Sequence, residues 1–140
     1  MTETILEKSI YLKATPAQVW AYLTDPEKLA VWFHKPSAPL VDGAYEMFGV
    51  ESGDRLIWGK VLLAEPFLRL HYTFTIAPMG EQVSTVKWQL TEVAGGTNLS
   101  LRHEGMPQGV AAFDLTLAMD KGWDDHLARL RASAHSQQAQ

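Results

Sequence analysis

The segment from residue 110 to residue 132, VAAFDLTLAMDKGWDDHLARLRA, constrains the fold more than any other part of the chain. With successive residues placed at about 100° to one another, its apolar side chains form one broad stripe and most of its charged side chains lie opposite. The stripe consists of Ala112, Leu115, Thr116, Met119, Trp123, Leu127 and Leu130. A helix of about 20 residues is roughly 30 Å long. We expect a sheet to cover this face, because the remaining chain mostly predicts strands.

Turn signals divide the N-terminal part of the chain into one strand and two short helices. Residues 4–13 are rich in β-forming side chains and predict the strand. Thr15-Pro16-Ala17-Gln18 is typical of a capping box with proline at the first helical position. Asp25-Pro26 repeats the cap and the proline, so a second helix should follow and end near Trp32. Residues 34–42 then predict a proline-containing loop.

From Gly43 to Glu104 the hydrophobic period is two, which predicts five further strands, and Ala94-Gly95-Gly96 is a strong hairpin signal. The sequence therefore predicts an α+β fold, in which a curved six-stranded antiparallel sheet wraps around the long C-terminal helix. We expect residues 1–132 to form a single domain. Residues 133–140, SAHSQQAQ, predict a flexible polar tail.

Composition narrows the possible partners. The net charge of −4, without any run of Lys or Arg, argues against nucleic-acid binding and against an anionic membrane surface. The chain has no cysteine, which excludes disulfides, thiolate nucleophiles and Cys-ligated zinc. Neither a secretory signal nor a membrane span is predicted, so we expect a cytoplasmic protein. Five Trp, five Phe and four Tyr supply rings that could fill a core or line a cavity.

The motifs that identify common enzyme classes are missing. The sequence has no G-x-S-x-G, no phosphate-binding glycine loop and no H-E-x-x-H. None of the other histidines pairs at a spacing typical of metal ligands. We therefore predict no catalytic motif, no metal and no cofactor.

His103 is the strongest single candidate for chemistry. It shares one strand face with Leu99 and Leu101, so we expect its imidazole beneath the long helix. Such an imidazole could bind, donate to or deprotonate a ligand, and Tyr72 could add a hydroxyl from another inward face. The alternative is a histidine whose nitrogens are satisfied inside the core. That alternative is favoured, because no second catalytic group stands at a diagnostic spacing.

Two other positions of the long helix invite an explanation. Asp120 lies at the margin of the apolar stripe, where a buried carboxylate could act as an acid or a base; exposure to solvent at the edge is the favoured interpretation. Gly122 costs about 1 kcal/mol relative to alanine in a helix. We expect it to allow close packing or to make room for the indole of Trp123.

The sequence also resembles the START-like (SRPBCC) superfamily, and more narrowly its heat-shock-protein-90 ATPase activator homologue-like branch. The resemblance spans nearly the whole chain. The matching segments are Ala14-Thr15-Pro16 with Val19-Trp20, Thr24-Asp25-Pro26-Glu27 with Leu29 and Trp32, Gly59-Lys60-Val61-Leu62 with Glu65-Pro66 and Leu68, Val86 with Trp88 and Leu90, Gly96-Thr97-Asn98-Leu99 with Leu101 and His103, and Gly122-Trp123 with Leu127. It implies a helix-grip fold with a cavity between the sheet and the C-terminal helix.

The expected function is non-covalent binding of a small hydrophobic or aromatic molecule in that cavity. Two alternatives stay open: an interaction module that modulates a chaperone ATPase, as the name of the branch implies, and a small cyclase- or hydratase-like enzyme that uses His103. A chaperone or a second copy of the chain is thus a possible partner. The predicted ligand-binding residues are Trp32, Phe33, Phe48, Trp58, Tyr72, Trp88, His103, Met106, Phe113, Met119 and Trp123.

Overall fold

The computed structural model describes residues 4–138, and their side chains through residue 135. Within this range the chain forms seven strands and three α-helices. In chain order they are β1 (Leu6–Leu12), α1 (Pro16–Thr24), α2 (Pro26–Trp32), β2 (Lys35–Pro36), β3 (Ala44–Phe48), β4 (Arg55–Glu65), β5 (Arg69–Phe74), β6 (Ser84–Val93), β7 (Gly96–Glu104) and α3 (Phe113–Gln138). Short 3-10 helices lie at Ala77–Met79 and Val110–Ala112. No helix in the described range is long and apolar enough to cross a membrane.

The sheet is curved and antiparallel throughout, with the strand order β1-β7-β6-β5-β4-β3-β2. The α+β helix-grip architecture is confirmed, but the sheet has seven strands and not six. The additional strand, β2, lies in the predicted loop and pairs with Met47 and Phe48 of β3. Two residues are too few to show a period of two, and proline is tolerated because β2 is an edge strand.

The predicted caps start both short helices. The Thr15 hydroxyl accepts from the backbone N–H of Gln18 at 3.2 Å, and the Gln18 side chain accepts from the N–H of Thr15 at 2.8 Å. The Asp25 carboxylate accepts from the N–H of Glu27 at 2.9 Å. These caps fix where α1 and α2 begin. As a result Trp32, at the end of α2, and Phe33, which follows it, lie in the core.

Helix α3 begins and ends later than predicted. A 3-10 turn precedes it, and it runs to Gln138, well beyond Ala132. The expected tail is therefore helical from Ser133 to Gln138. Ala134 is buried, and the ring of His135 accepts a hydrogen bond from the backbone N–H of Lys13 at 3.0 Å. The side chain of Ala134 continues the buried stripe of the helix. Because this side chain is small, a pattern of large apolar residues does not include it.

Helix α3 packs on the inward face of the sheet. The strand residues that alternation assigns to this face are buried, among them Trp88, Leu99, Leu101 and His103. Trp123 of α3 meets Trp88 edge to face, with the ring centroids 5.6 Å apart. The centre of the core therefore lies directly under the middle of α3.

Candidate functional site

A cavity of about 330 Å³ lies beside the core and is called the α3 cavity below. Its walls come from one face of α3, from the residues that follow α2, from the start of β4, and from the end of β5 with the 3-10 turn after it. Most of the wall is apolar and includes Phe33, Ile57, Phe74, Met119 and Trp123. The cavity is thus bounded by both the helix and the sheet.

Stacked rings form one wall of the cavity. Phe33 lies between the indoles of Trp32 and Trp123, at centroid distances of 5.2 and 5.3 Å and interplanar angles of 23° and 20°. Trp123 also meets Phe74 at 6.1 Å. Offset stacking of this kind stabilises aromatic pairs beyond their burial. The result is a wall whose rings are held from several sides.

His103 fixes the orientation of Trp123 from behind this wall. The indole N–H of Trp123 donates to Nδ1 of His103 at 3.0 Å, which assigns the ring proton to Nε2. Nε2 then donates to the hydroxyl of Ser84 at 2.7 Å, and that hydroxyl donates to the carbonyl of Phe74 at 2.6 Å. Burial lowers the pKa of His103 to about 4. Both ring nitrogens are therefore engaged with protein groups, and His103 does not line the cavity.

Tyr72 is likewise a core residue and does not line the cavity. Its hydroxyl accepts the indole N–H of Trp88 at 3.0 Å, and its ring meets that of Tyr45 edge to face at 5.4 Å. Burial raises the pKa of the Tyr72 hydroxyl. The hydroxyl is thus engaged inside the core, and neither Tyr72 nor His103 lines the α3 cavity.

Only three of the predicted ligand-binding residues, Phe33, Met119 and Trp123, line the α3 cavity. Trp32, Trp88 and Met106 are fully buried in the core and do not line the cavity. Strand alternation identifies the inward face of a sheet, but α3 covers the middle of that face directly. Only the part of the inward face beside β4 and β5 is left open. Strand alternation does not reveal where along the sheet the contact with α3 ends.

The remaining predicted residues point elsewhere. Phe48 follows a shift in register between β3 and β4 and contributes to a surface groove beside β2. Trp58 is half-buried, with the guanidinium of Arg55 above its ring at 4.3 Å. Phe113, in the first turn of α3, is 54% exposed. None of these three side chains reaches the cavity.

Two positions of α3 are explained by the structure. Asp120 forms an ion pair with Lys8 at 2.6 Å and is about half exposed, so it lies at the edge of the helix and not in the core. Gly122 lines the cavity, and a Cβ placed there would meet no atom within 4 Å apart from its chain neighbours and the backbone of its own helix. No other element therefore packs closely against Gly122, so the close packing that was one of its two expected roles is not found.

The polar side chains of the cavity wall were not among the predicted residues. They are His34, which follows Phe33, His126 of α3, and Arg55 at the start of β4. The two imidazole centroids are 5.3 Å apart, and each lies 4.7 Å from the ring of Phe33. His126 follows Trp123 by three residues and thus shares its helix face. That spacing was available in the sequence, whereas the distance between His34 and His126 depends on the fold.

Both imidazoles are neutral at pH 7. Burial lowers the pKa of His126 to about 4; the Trp32 carbonyl opposes this shift and the positive charge of Arg129 adds to it. Burial and the charge of Arg129 also lower the pKa of His34. Among the side chains that the structure describes, no group of three or more His, Asp or Glu residues could hold a metal ion. The site therefore offers an apolar volume with a few neutral hydrogen-bonding groups.

Comparison with known proteins gives a family and a set of similar structures. The family model described as "Activator of Hsp90 ATPase homolog 1-like protein" matches residues 13–134. DynU16, a protein of the dynemicin biosynthetic locus, is 27% identical with a TM-score of 0.78; the match covers 94% of this chain but only 47% of DynU16. No curated protein sequence matches the chain.

Two further structures show the fold alone. A protein from Mesorhizobium loti is 22% identical, with a TM-score of 0.79 over 92% of this chain and 95% of that protein. The Aha1 dimer from Colwellia psychrerythraea is 18% identical, with a TM-score of 0.76 over 94% of this chain and 96% of that protein.

Proposed function

We propose, from the premise that this chain belongs to the Activator of Hsp90 ATPase homolog 1-like family, that it binds a small apolar or aromatic molecule non-covalently in the α3 cavity. The observation that carries the proposal is an apolar cavity of about 330 Å³ between α3 and the sheet. Ligand sites in proteins typically measure about 300–1,000 Å³ and are lined mainly by apolar and aromatic side chains. A cavity of about 150 Å³ already holds benzene, so this one has room for roughly two fused rings.

The engagement of His103 and Tyr72 favours binding over catalysis. A general base needs a free lone pair within hydrogen-bond reach of its substrate. Nδ1 of His103 already accepts from Trp123, and Nε2 carries the proton that Ser84 accepts. Tyr72 lies behind the wall and is held by Trp88. The enzyme alternative built on these residues is therefore the weaker one.

Titration with the neutral dye 1-aminonaphthalene, which has two fused rings, tests the proposal. We expect saturable binding near 1:1, a blue shift of the dye emission and quenching of tryptophan emission, because Trp123 forms part of the wall. The variant Ala118→Phe places a ring at the cavity and should weaken dye binding by about tenfold or more. The matched control is Ala132→Phe, at an exposed position on the same helix. Absence of saturable binding to the folded chain, or equal binding by both variants, would contradict the proposal.

Association with a protein partner is a second candidate, favoured by a different surface. Val110, Phe113 and Leu117 follow one another at helical spacing and are 95%, 54% and 52% exposed. Contiguous exposed apolar side chains often mark interaction sites. We expect the chain to self-associate through this surface, and the double substitution Phe113→Ser and Leu117→Ser to shift it to monomer. Sedimentation velocity measures this, and a wild-type chain that stays monomeric at its highest soluble concentration would remove the homodimer.

A further inference from the structure

We propose that the α3 cavity selects an aromatic carboxylate, whose carboxylate group is bound by His34 and His126. The inference rests on the proposed function, because it names the class of ligand for the same cavity. Two features support it: the two imidazoles have nitrogens that no group in the described part of the chain bonds, and the guanidinium of Arg129 stands beside them. The third polar residue of the wall, Arg55, is already paired with Glu46 at 3.0 Å and lies over Trp58.

His126 has one nitrogen engaged and one available. Nδ1 lies close to a guanidinium nitrogen of Arg129 and 3.2 Å from the carbonyl of Trp32. A neutral ring cannot make both hydrogen bonds, since Nδ1 would accept in one and donate in the other. A guanidinium carries only donors, and Arg129 also donates from Nε to the carbonyl of Trp32 at 3.4 Å, so Nδ1 is the acceptor. The ring proton is then on Nε2, which has no hydrogen-bond partner among the described residues.

His34 has both nitrogens available. The described part of the chain contains no hydrogen-bond partner for either of them, and its ring contacts are with Phe33 and His126. No buried side-chain nitrogen or oxygen in this part of the chain lacks a partner. The unpartnered nitrogens of His34 and His126 are consequently open to solvent, and both residues line the cavity. A ligand atom can therefore reach them.

The charge nearby favours an anion over a neutral group. The guanidinium of Arg129 contacts Nδ1 of His126, and its positive charge lowers the pKa of both imidazoles. Asp125 opposes it only in part, because that carboxylate is paired with Lys121 at 2.8 Å. A carboxylate accepts two N–H donors at once, and two perpendicular imidazoles with centroids 5.3 Å apart can supply them.

The apolar wall of the α3 cavity determines the size and aromatic character of the rest of the ligand. Phe33 contacts both imidazoles, so the carboxylate site continues directly into the stacked rings. A molecule of roughly two fused rings bearing one carboxylate fills a volume of this size. This points to compounds of the size and polarity of naphthoic acid.

Isothermal titration calorimetry with 2-naphthoate and 2-naphthamide tests the inference on the full chain at pH 7.5. The two probes have the same shape, but only the first carries a charge. We expect the wild type to bind 2-naphthoate about tenfold more tightly. The variants His34→Phe and His126→Phe keep a ring against Phe33 but remove the N–H groups. Each should reduce this preference, and the double variant should bring the ratio of the two Kd values close to one, because the carboxylate loses charge-assisted hydrogen bonds and the amide loses only weaker, neutral ones.

The control is His71→Phe, because His71 lies in a groove lined by Arg69, Lys87 and Arg102 and not at the α3 cavity. The ratio of the Kd values of 2-naphthoate and 2-naphthamide should be unchanged in this variant. Equal affinity of the wild type for both probes, or a preference that survives in the double variant, would overturn the inference and leave the proposed function in place. Failure of both probes and of the neutral dye to bind would overturn the proposed function together with it.

Discussion

Trp123 separates two regions of the molecule, and a histidine stands on each side of its indole. The ring of His103 lies 6.0 Å from that of Trp123 on the side of the core, and the ring of His126 lies 6.1 Å away on the side of the α3 cavity. His103 is fully buried, with both nitrogens bonded to side chains. His126 is half-buried, and the described part of the chain engages one of its two nitrogens.

The comparison separates a structural histidine from one available to a ligand. In the core, each polar atom has a protein partner, so an added molecule would have to break a hydrogen bond. At the cavity, polar atoms keep unused bonding capacity next to an apolar volume, so an added molecule would only displace water. Residue type and lowered pKa are the same on both sides of Trp123. The hydrogen-bond partners make the difference.

Removal of α3 should have the largest effect, because it removes the element that both regions share. A chain that ends at Gly109 loses the buried side chains Trp123, Leu127 and Leu130. Each such loss lowers the free energy of unfolding by about 2–5 kcal/mol, and the whole free energy of unfolding of a domain is about 5–15 kcal/mol. We expect no cooperative unfolding transition in circular dichroism. A cooperative melt near the full-length temperature would show that α3 is not needed for the fold.

Acidification should destabilise the protein through the histidines on both sides of Trp123. His103 and His126 have a pKa of about 4 in the folded protein and about 6.5 in the unfolded chain, so between these values only the unfolded chain takes up their protons. Stability should be constant above about pH 7 and fall as the pH drops from 6.5 to 4. For the fully buried His103 the loss amounts to about 3 kcal/mol at pH 4. Urea unfolding at several pH values measures it.

The matched variants His103→Phe and His126→Phe should separate the two contributions. Without His103, the buried N–H of Trp123 has no acceptor, which costs about 2 kcal/mol at pH 7. Without His126, Arg129 can still donate to the carbonyl of Trp32, so the cost should stay below about 1 kcal/mol. Urea unfolding of both variants gives the two values. Equal losses would mean that the hydrogen bonds of His103 and His126 contribute equally to stability.

The sequence predicts the architecture of this protein better than its site. Apolar spacing and capping residues are local, so the order of elements, the two short helices and the inward position of His103 follow from the sequence. The two-residue strand β2 and the C-terminal extension of α3 do not, because a two-residue edge strand has no period and Ala134 is small.

The position of the site depends on the boundary between the packed core and the α3 cavity. Trp88, Tyr72 and His103 are on the predicted face, but Trp88 and Tyr72 are hydrogen-bonded to each other and His103 is bonded to Ser84 and Trp123, so the space around them is closed. The cavity opens where Gly122 has no side chain and where β4 and β5 meet α3. His34 and His126 are brought together there from distant parts of the chain. A local pattern cannot indicate such a pair, because neither residue depends on the other until the chain has folded.

The smallest effect is expected at Gly122, and it tests whether the cavity is a gap in packing or a site kept open. A Cβ at this position would meet no atom within 4 Å apart from its chain neighbours and the backbone of its own helix, and glycine in the middle of a helix costs about 1 kcal/mol relative to alanine. Gly122→Ala should therefore stabilise the folded protein by up to about 1 kcal/mol, measured by urea unfolding. The same methyl group narrows the α3 cavity, so the dye should bind more weakly while stability rises.

The control Ala132→Gly, at an exposed position of α3, should lower stability by a similar amount and leave dye binding unchanged. A glycine that lowers stability but improves binding is explained by a ligand site and not by packing. If Gly122→Ala instead destabilised the protein, the indole of Trp123 or another wall residue would need the space, and the open volume beside α3 would belong to the core.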